Sequence, residues 1–378
     1  MRKSWFLLLT TLAVPVAART LPADVVLRHG TILTVDPVDH VVEALAVRDG
    51  RIVATGSDQS IQALIGPKTK VIDLAGRTAT PGLIDTHAHL RAGGIDELFH
   101  IDLTRTSSIA DLLALVKARA DATKPGEWVL GAGWNEGLLA EHRAPTLAEL
   151  DAVSGQHPVS LTSTTGHYLA VNSIALAMAH IDSTTASPEG GTIGRDSGGR
   201  LTGLLKENAA MSLVRKLIPP VTQDQGKAAI RAMTAQMHSE GMTGVKDPLL
   251  TPIQWSDYVD LARSEGLSVH ACGLIFAGAT METAQAALAT VVQARRDIAA
   301  LPNGHLGICG IKMFLDGSAM ARTAWMNEDF AADAAHPAPT GRGYPTVEPE
   351  AYRKMVNLFV AAGVPVATHV IGDRAIDV

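Results

Sequence analysis

The sequence predicts an α/β protein built from parallel strand–helix units, and three observations carry that expectation. Beyond His89, short apolar runs alternate with helix-length segments, the order expected of connected βα units rather than of hairpins. Helix-start residues (Ser, Thr, Thr-Pro) and Gly stops mark most of the joints. The stretch Thr80-Pro81-Gly82-Leu83-Ile84-Asp85-Thr86-His87-Ala88-His89 reads as a strand that ends in two histidines one residue apart. Side chains at i and i+2 share a strand face, so His87 and His89 can grip one metal ion, with Asp85 on the same face as a partner for an imidazole N–H.

The elements follow in order. Residues 23–71 hold strand-like runs at 25–27, 31–35, 44–47 and 52–55, broken by His29-Gly30, Asp36-Pro37 and Asp49-Gly50. This region, 19–79, is expected to be half of a small β-sandwich. Ser108 and Asp111 then open a helix to about residue 120, and Trp128-Val129-Leu130 follows as a strand. Between about 135 and 208 the alternation lapses into turns such as Ser187-Pro188-Glu189-Gly190-Gly191, marking an irregular insertion that either decorates the fold or shapes a substrate site. Thr222 with Gln225 opens a helix ending at Gly241, before the strand Met242-Thr243-Gly244-Val245. Thr251-Pro252 opens another, which stops near Gly266 before the run from Leu267 to Cys272. An alanine-rich helix at about 281–300 precedes the strand around Ile311-Lys312-Met313, and a helix at about 349–362 leads through Gly363 to Thr368-His369.

Of 378 residues, 47% are hydrophobic, enough for a sizeable core. A net charge of −6 without a basic block argues against nucleic acid as a partner, and 4% aromatic residues leave little for stacking on bases. Arg2-Lys3, an apolar stretch from Trp5 to Ala17 and the small residues Val16-Ala17-Ala18 read as an export signal over 1–18. The protein is accordingly expected in the periplasm or secreted, with no stable membrane span once that signal is removed. Cys272 and Cys309 lie in apolar strand-like runs, where free buried thiols are the commoner state, although an oxidising compartment would permit a bridge.

Lys312 stands in an apolar run, where an unpaired ammonium is costly. It is relieved either by a lowered pKa or by pairing, for instance with Asp316. Asp316-Gly317-Ser318 could line a pocket or form a turn. Asp247 follows Gly244-Val245-Lys246 as a rim carboxylate or a helix cap, and His270 reads as a core residue.

Taken together, His87-Ala88-His89, Gly133-Trp134-Asn135, Gly166-His167, Asn172-Ser173, Thr202-Gly203, Ile311-Lys312-Met313-Phe314-Leu315-Asp316-Gly317-Ser318 and His369-Val370-Ile371-Gly372-Asp373-Arg374-Ala375 closely resemble the metal-dependent amidohydrolase superfamily. The resemblance is to its amidohydrolase-3 branch, which includes N-substituted formamide deformylases, and it runs from about Ala23 to Val378. It implies a TIM-like (β/α) barrel over 80–378. It further implies that His87, His89, Lys312 and His369 ligate one or two divalent ions, zinc by preference, with Lys312 as a carbamate, and that His167 and Asp316 bind substrate. The implied reaction is metal-assisted hydrolysis of a non-peptide carbon–nitrogen bond in a small N-acyl or N-formyl amine. The resembled family also has a histidine on strand six and a proton-transferring aspartate on strand eight. This sequence ends just after strand five, so about five of eight strands are expected and no catalytic carboxylate is assigned. A non-catalytic remnant or binding module is the alternative, and a mononuclear deaminase is a third reading.

Overall fold

The computed structural model describes residues 21–301, 304–332 and 340–378, and the expected export signal lies outside them. The chain divides into two units, residues 1–82 and 83–378.

The described part of the first unit holds strands β1 (Val25–Arg28), β2 (Thr31–Leu33), β3 (Val41–Val42), β4 (Ala44–Arg48), β5 (Arg51–Gly56), β6 (Lys70–Asp73) and β7 (Thr78–Ala79), with one short helix α1 (Asp58–Ile61). They form a four-stranded sheet, β5-β4-β1-β6, and a three-stranded sheet, β3-β2-β7. Both are mixed, because β1 pairs β6 and β2 pairs β7 in parallel. Val26, Ala44, Ala46 and Ile61 make the small core of the first sheet.

The second unit alternates strands and helices: β8 (Leu83–Asp85), α2 (Leu90–Phe99), β9 (Ile101–Asp102), α3 (Ile109–Ala122), β10 (Val129–Trp134), α4 (Leu147–Ser154), β11 (Val159–Ser163), β12 (Tyr168–Val171), α5 (Ser173–Met178), β13 (Thr192–Arg195), β14 (Leu201–Lys206), α6 (Glu207–Arg215), α7 (Gln223–Ser239), β15 (Met242–Leu250), α8 (Pro252–Ser264), β16 (His270–Phe276), α9 (Met281–Ala299), β17 (Leu306–Phe314), α10 (Pro349–Ala361), β18 (Val366–His369) and α11 (Asp373–Ile376). The helix starts are local chemistry. The Thr222 and Thr251 hydroxyls accept the N–H of Gln225 and Gln254, whose side chains accept the threonine N–H in return. Each such box satisfies donors that would otherwise be orphaned and is worth ~1 kcal/mol.

Two sheets result. Strands β8, β15, β16, β17 and β18 form a five-stranded sheet, parallel throughout, in the order β18-β17-β16-β15-β8. Helices α7 to α10 cover it, burying Ile230, Trp255, Val291 and Phe359 against Val245, Ile275 and Ile311. The other strands form a six-stranded sheet, β13-β14-β12-β11-β10-β9, packed around Trp134, Leu161 and Tyr168.

Four expectations change here. The stretch 135–208 is not irregular: together with residues from Ile101 onward it builds the six-stranded sheet, and the Asp196–Gly199 turn links β13 to β14. The strand at Val129 pairs with β9 and β11 there, outside the five-stranded sheet. His270 is exposed rather than buried and packs on His305 at 4.4 Å between ring centroids, because it sits at the start of β16 where the sheet meets solvent. Cys272 and Cys309 form a disulfide, with 5.5 Å between their Cα atoms, where apolar surroundings alone favoured free thiols. Neighbouring parallel strands bring them together, a proximity that their separation of 37 residues does not disclose. Among the described residues no helix is long and apolar enough to cross a membrane.

Candidate active site

The C-terminal ends of the five parallel strands are where a sheet of this kind gathers functional side chains. Strand β8 stops at Asp85, so His87 and His89 lie in the turn beyond it. The Asp85 carboxylate accepts the backbone N–H of His87 at 2.9 Å, an Asx turn that replaces the imidazole partnership expected from a continuous strand. The two rings nonetheless stay together, 5.5 Å apart and edge to face. His89 immediately precedes α2, and its imidazole meets the carbonyl of Pro248 on β15.

Lys312 sits on β17 between Phe276 and Ala367 on the flanking strands, and it is 5% exposed. Burial pulls its ammonium below the ordinary 10.5. Its Nζ stands 5.4 Å from the Phe314 ring, and among the described residues no carboxylate pairs with it. Pairing with Asp316 is therefore not what relieves it. Asp316 is fully buried, and its two carboxylate oxygens accept the N–H groups of Trp325, Ile371 and Gly372. Asp316 thereby holds the turn after β18 in place.

His369 ends β18. One ring nitrogen lies 3.0 Å from the Gly317 carbonyl, and its ring neighbours Phe314 at 5.0 Å and His167 at 4.8 Å. Burial holds His87, His89 and His369 below the usual 6.5, and the positive charge of Lys312 pushes each of them further down. All three are thus neutral near pH 7, and Lys312 is the residue that all three feel. Among the described residues no three His, Cys, Asp or Glu side chains converge closely enough to hold one ion by themselves. The three histidines thus lie within electrostatic reach of Lys312, the four residues standing at the ends of β8, β17 and β18 without forming a closed cage.

His167, expected from the sequence, and Glu207, which the sequence does not disclose, complete the surroundings. His167 is buried, and its Nδ1 meets Glu207 Oε2 at 2.9 Å, while the other Glu207 oxygen accepts the Thr323 hydroxyl. Glu207 holds this position at a φ of 62°, in the left-handed region that a side chain rarely adopts. Beside it opens a cavity of about 240 Å³, with Phe276, Phe314, Val347 and Asn208 among its walls. On the other side, Asp247 is buried rather than on the rim: it accepts the backbone N–H of Arg91 at the start of α2, and the Tyr258 hydroxyl at 2.5 Å.

Burial pushes the Asp247 carboxyl up from 3.8 to about 6, against the pull of Tyr258 and Arg91. Between about pH 4 and 6 the folded chain keeps a proton that the unfolded chain has released. This group's contribution to stability is thus full below that window and falls as pH rises through it. Asp247→Asn keeps an acceptor and removes the ionisation. Denaturant unfolding across the window should show a decline shallower in the variant by about 3 kcal/mol. Parallel curves for the two proteins would contradict the assignment.

Comparison with known proteins fixes the family. The amidohydrolase family profile matches residues 70–378. The chain belongs to the amidohydrolase family. Among its relatives, the protein LONG AFTER FAR-RED 3 of Arabidopsis thaliana is 31% identical over 368 residues, 94% of this amidohydrolase and 60% of that protein. Putative amidohydrolase YtcJ of Bacillus subtilis is 30% identical over 89% of this chain and 61% of its own length. N-substituted formamide deformylase of Arthrobacter pascens is 29% identical over 232 residues. The amidohydrolase chain thus spans about 60% of the length of the first two relatives. A solved Pyrococcus horikoshii structure, described as an uncharacterized metal-dependent hydrolase, covers 93% of this chain and is itself covered to 66%, at a TM-score of 0.65 and 24% identity. That likeness supports the fold, in which the five parallel strands are part of a TIM-like barrel.

Proposed function

We propose that this amidohydrolase hydrolyses carbon–nitrogen bonds in small non-peptide N-acyl or N-formyl amines. A divalent ion, zinc by preference, would be held by His87, His89, Lys312 and His369. The observation that carries this reading is Lys312: a buried amine without a carboxylate partner among the described residues, whose charge reaches all three strand-end histidines. The donor chemistry fits a metal, since ligation needs neutral imidazoles and burial holds these three neutral. When bound, such an ion lowers the pKa of a water toward ~7 and polarises the carbonyl under attack. The chain's own residues supply the rest. Burial favours the free amine of Lys312, which can add carbon dioxide, forming a nitrogen–carbon bond and releasing a proton, to become an anionic carbamate. Glu207 fixes the ring of His167 beside His369, and Phe314 screens the group from water.

The family relationship supports hydrolysis, and the deformylase relative favours an N-formyl or N-acyl amine. The Cys272–Cys309 bridge favours an exported protein, as disulfides persist in oxidising compartments. The test is amine release from a panel of N-formyl and N-acyl amines by the zinc-loaded chain, before and after chelation. Release that chelation stops and zinc restores is expected. A loaded chain that cleaves no member of the panel would overturn the substrate class.

A further inference from the structure

Strand β17 contains a bulge three residues before Lys312. Along the β16–β17 ladder Gly273 faces Ile308, yet the next residue, Leu274, faces Gly310, so Cys309 is an extra residue with no partner of its own. The alternation of side chains has period two, and one added residue sends every later side chain to the opposite face. Removing the bulge would place Ile311 opposite Phe276, where Lys312 now stands, and would turn the lysine away from its histidines. The bulge is held from two sides. Gly310 follows it at a φ of 136°, and a Cβ there would run into the Pro365 carbonyl just before β18. Cys309 itself is bonded to Cys272 on β16, opposite Gly307 and therefore before the slip in register.

We infer that the Cys272–Cys309 disulfide is a positioning device: it clamps the bulge and so fixes the face on which β17 presents Lys312. This rests on the reading of Lys312 as a site residue, although the clamp can be measured without it. Reduction would take two electrons and two protons from a dithiol, break the sulfur–sulfur bond to give two thiols, and leave the dithiol oxidised to its own disulfide. The freed bulge could then migrate along β17 or flatten.

The experiment compares the full chain oxidised, reduced with dithiothreitol, and reoxidised, with Cys272→Ala/Cys309→Ala as a form that needs no reductant. Amide exchange over residues 308–314 should rise by about tenfold or more in the reduced and double-variant forms, as expected when a cross-link stops suppressing local opening. Exchange in α7 and β15 should be unchanged. Zinc affinity, measured by chelator competition after the reductant is removed, should fall in parallel, and both changes should reverse on reoxidation. Unchanged exchange over 308–314 would overturn the clamp. A uniform rise across the second unit would overturn it too, making the bridge a general staple. Failure of both redox forms to bind zinc would instead count against the proposed function, while exchange still decides the clamp.

Discussion

Lys312→Met should bind zinc more than about 100-fold more weakly than the parent chain, beyond what loss of a supporting residue alone costs. The same variant should be at least as stable. Lys312 is 5% exposed, its ammonium is destabilised by burial, and among the described residues no carboxylate compensates it, so an apolar side chain of similar length removes a penalty without opening a cavity. The pairing of weaker metal binding with undiminished stability separates a site residue from a structural one. Chelator competition and urea unfolding measure the two properties. A variant that binds zinc as the parent does would remove Lys312 from the site.

Arg91→Met should cost the fold about 3–5 kcal/mol, the typical loss when one member of a buried ion pair is deleted. Arg91 is 4% exposed and donates from Nε to Asp257 Oδ2 at 2.6 Å, while the other Asp257 oxygen is buried without a partner among the described residues. Burial already raises the Asp257 carboxyl despite the guanidinium beside it. Removing the guanidinium leaves that carboxylate without its hydrogen-bonded counter-charge between α2, α7 and α8, packed so closely on Gly226 that a Cβ there would clash with it. Adding Asp257→Asn to Arg91→Met should recover much of the loss. Denaturant unfolding of the single and double variants measures both, and a cost for Arg91→Met within about 0.5 kcal/mol, as for an ordinary surface change, would contradict the account.

The sequence announced the parts of this molecule that depend on near neighbours. Capping residues, glycine stops and apolar runs mark the helices and strands of the second unit closely, since caps and turns are satisfied within three or four residues. His87, His89, Lys312 and His369 were visible as motifs at strand ends. What stayed hidden depends on distant partners. Nothing in the run from Val129 to Trp134 distinguishes a strand that joins β9 and β11 from one that joins the parallel sheet. Asp316 stands in a legible motif, but the N–H groups of residues 325, 371 and 372 that its oxygens accept do not show in the sequence. Glu207 carries no motif: its role comes from a strained backbone and a partner 40 residues earlier. The cysteine bridge was hidden for the same reason, because it depends on a bulge that only the pairing of β16 with β17 creates.

The central claim is that the strand-end histidines and Lys312 act on one metal centre. Zinc titration of the purified chain, beside His87→Ala, His89→Ala and His369→Ala, tests it most directly. The parent should take up zinc tightly. Each variant should lose that uptake while keeping its far-ultraviolet circular dichroism, because each removes a separate ligand from a shared site. Uptake unchanged in all three variants, or no zinc bound by the parent, would contradict it.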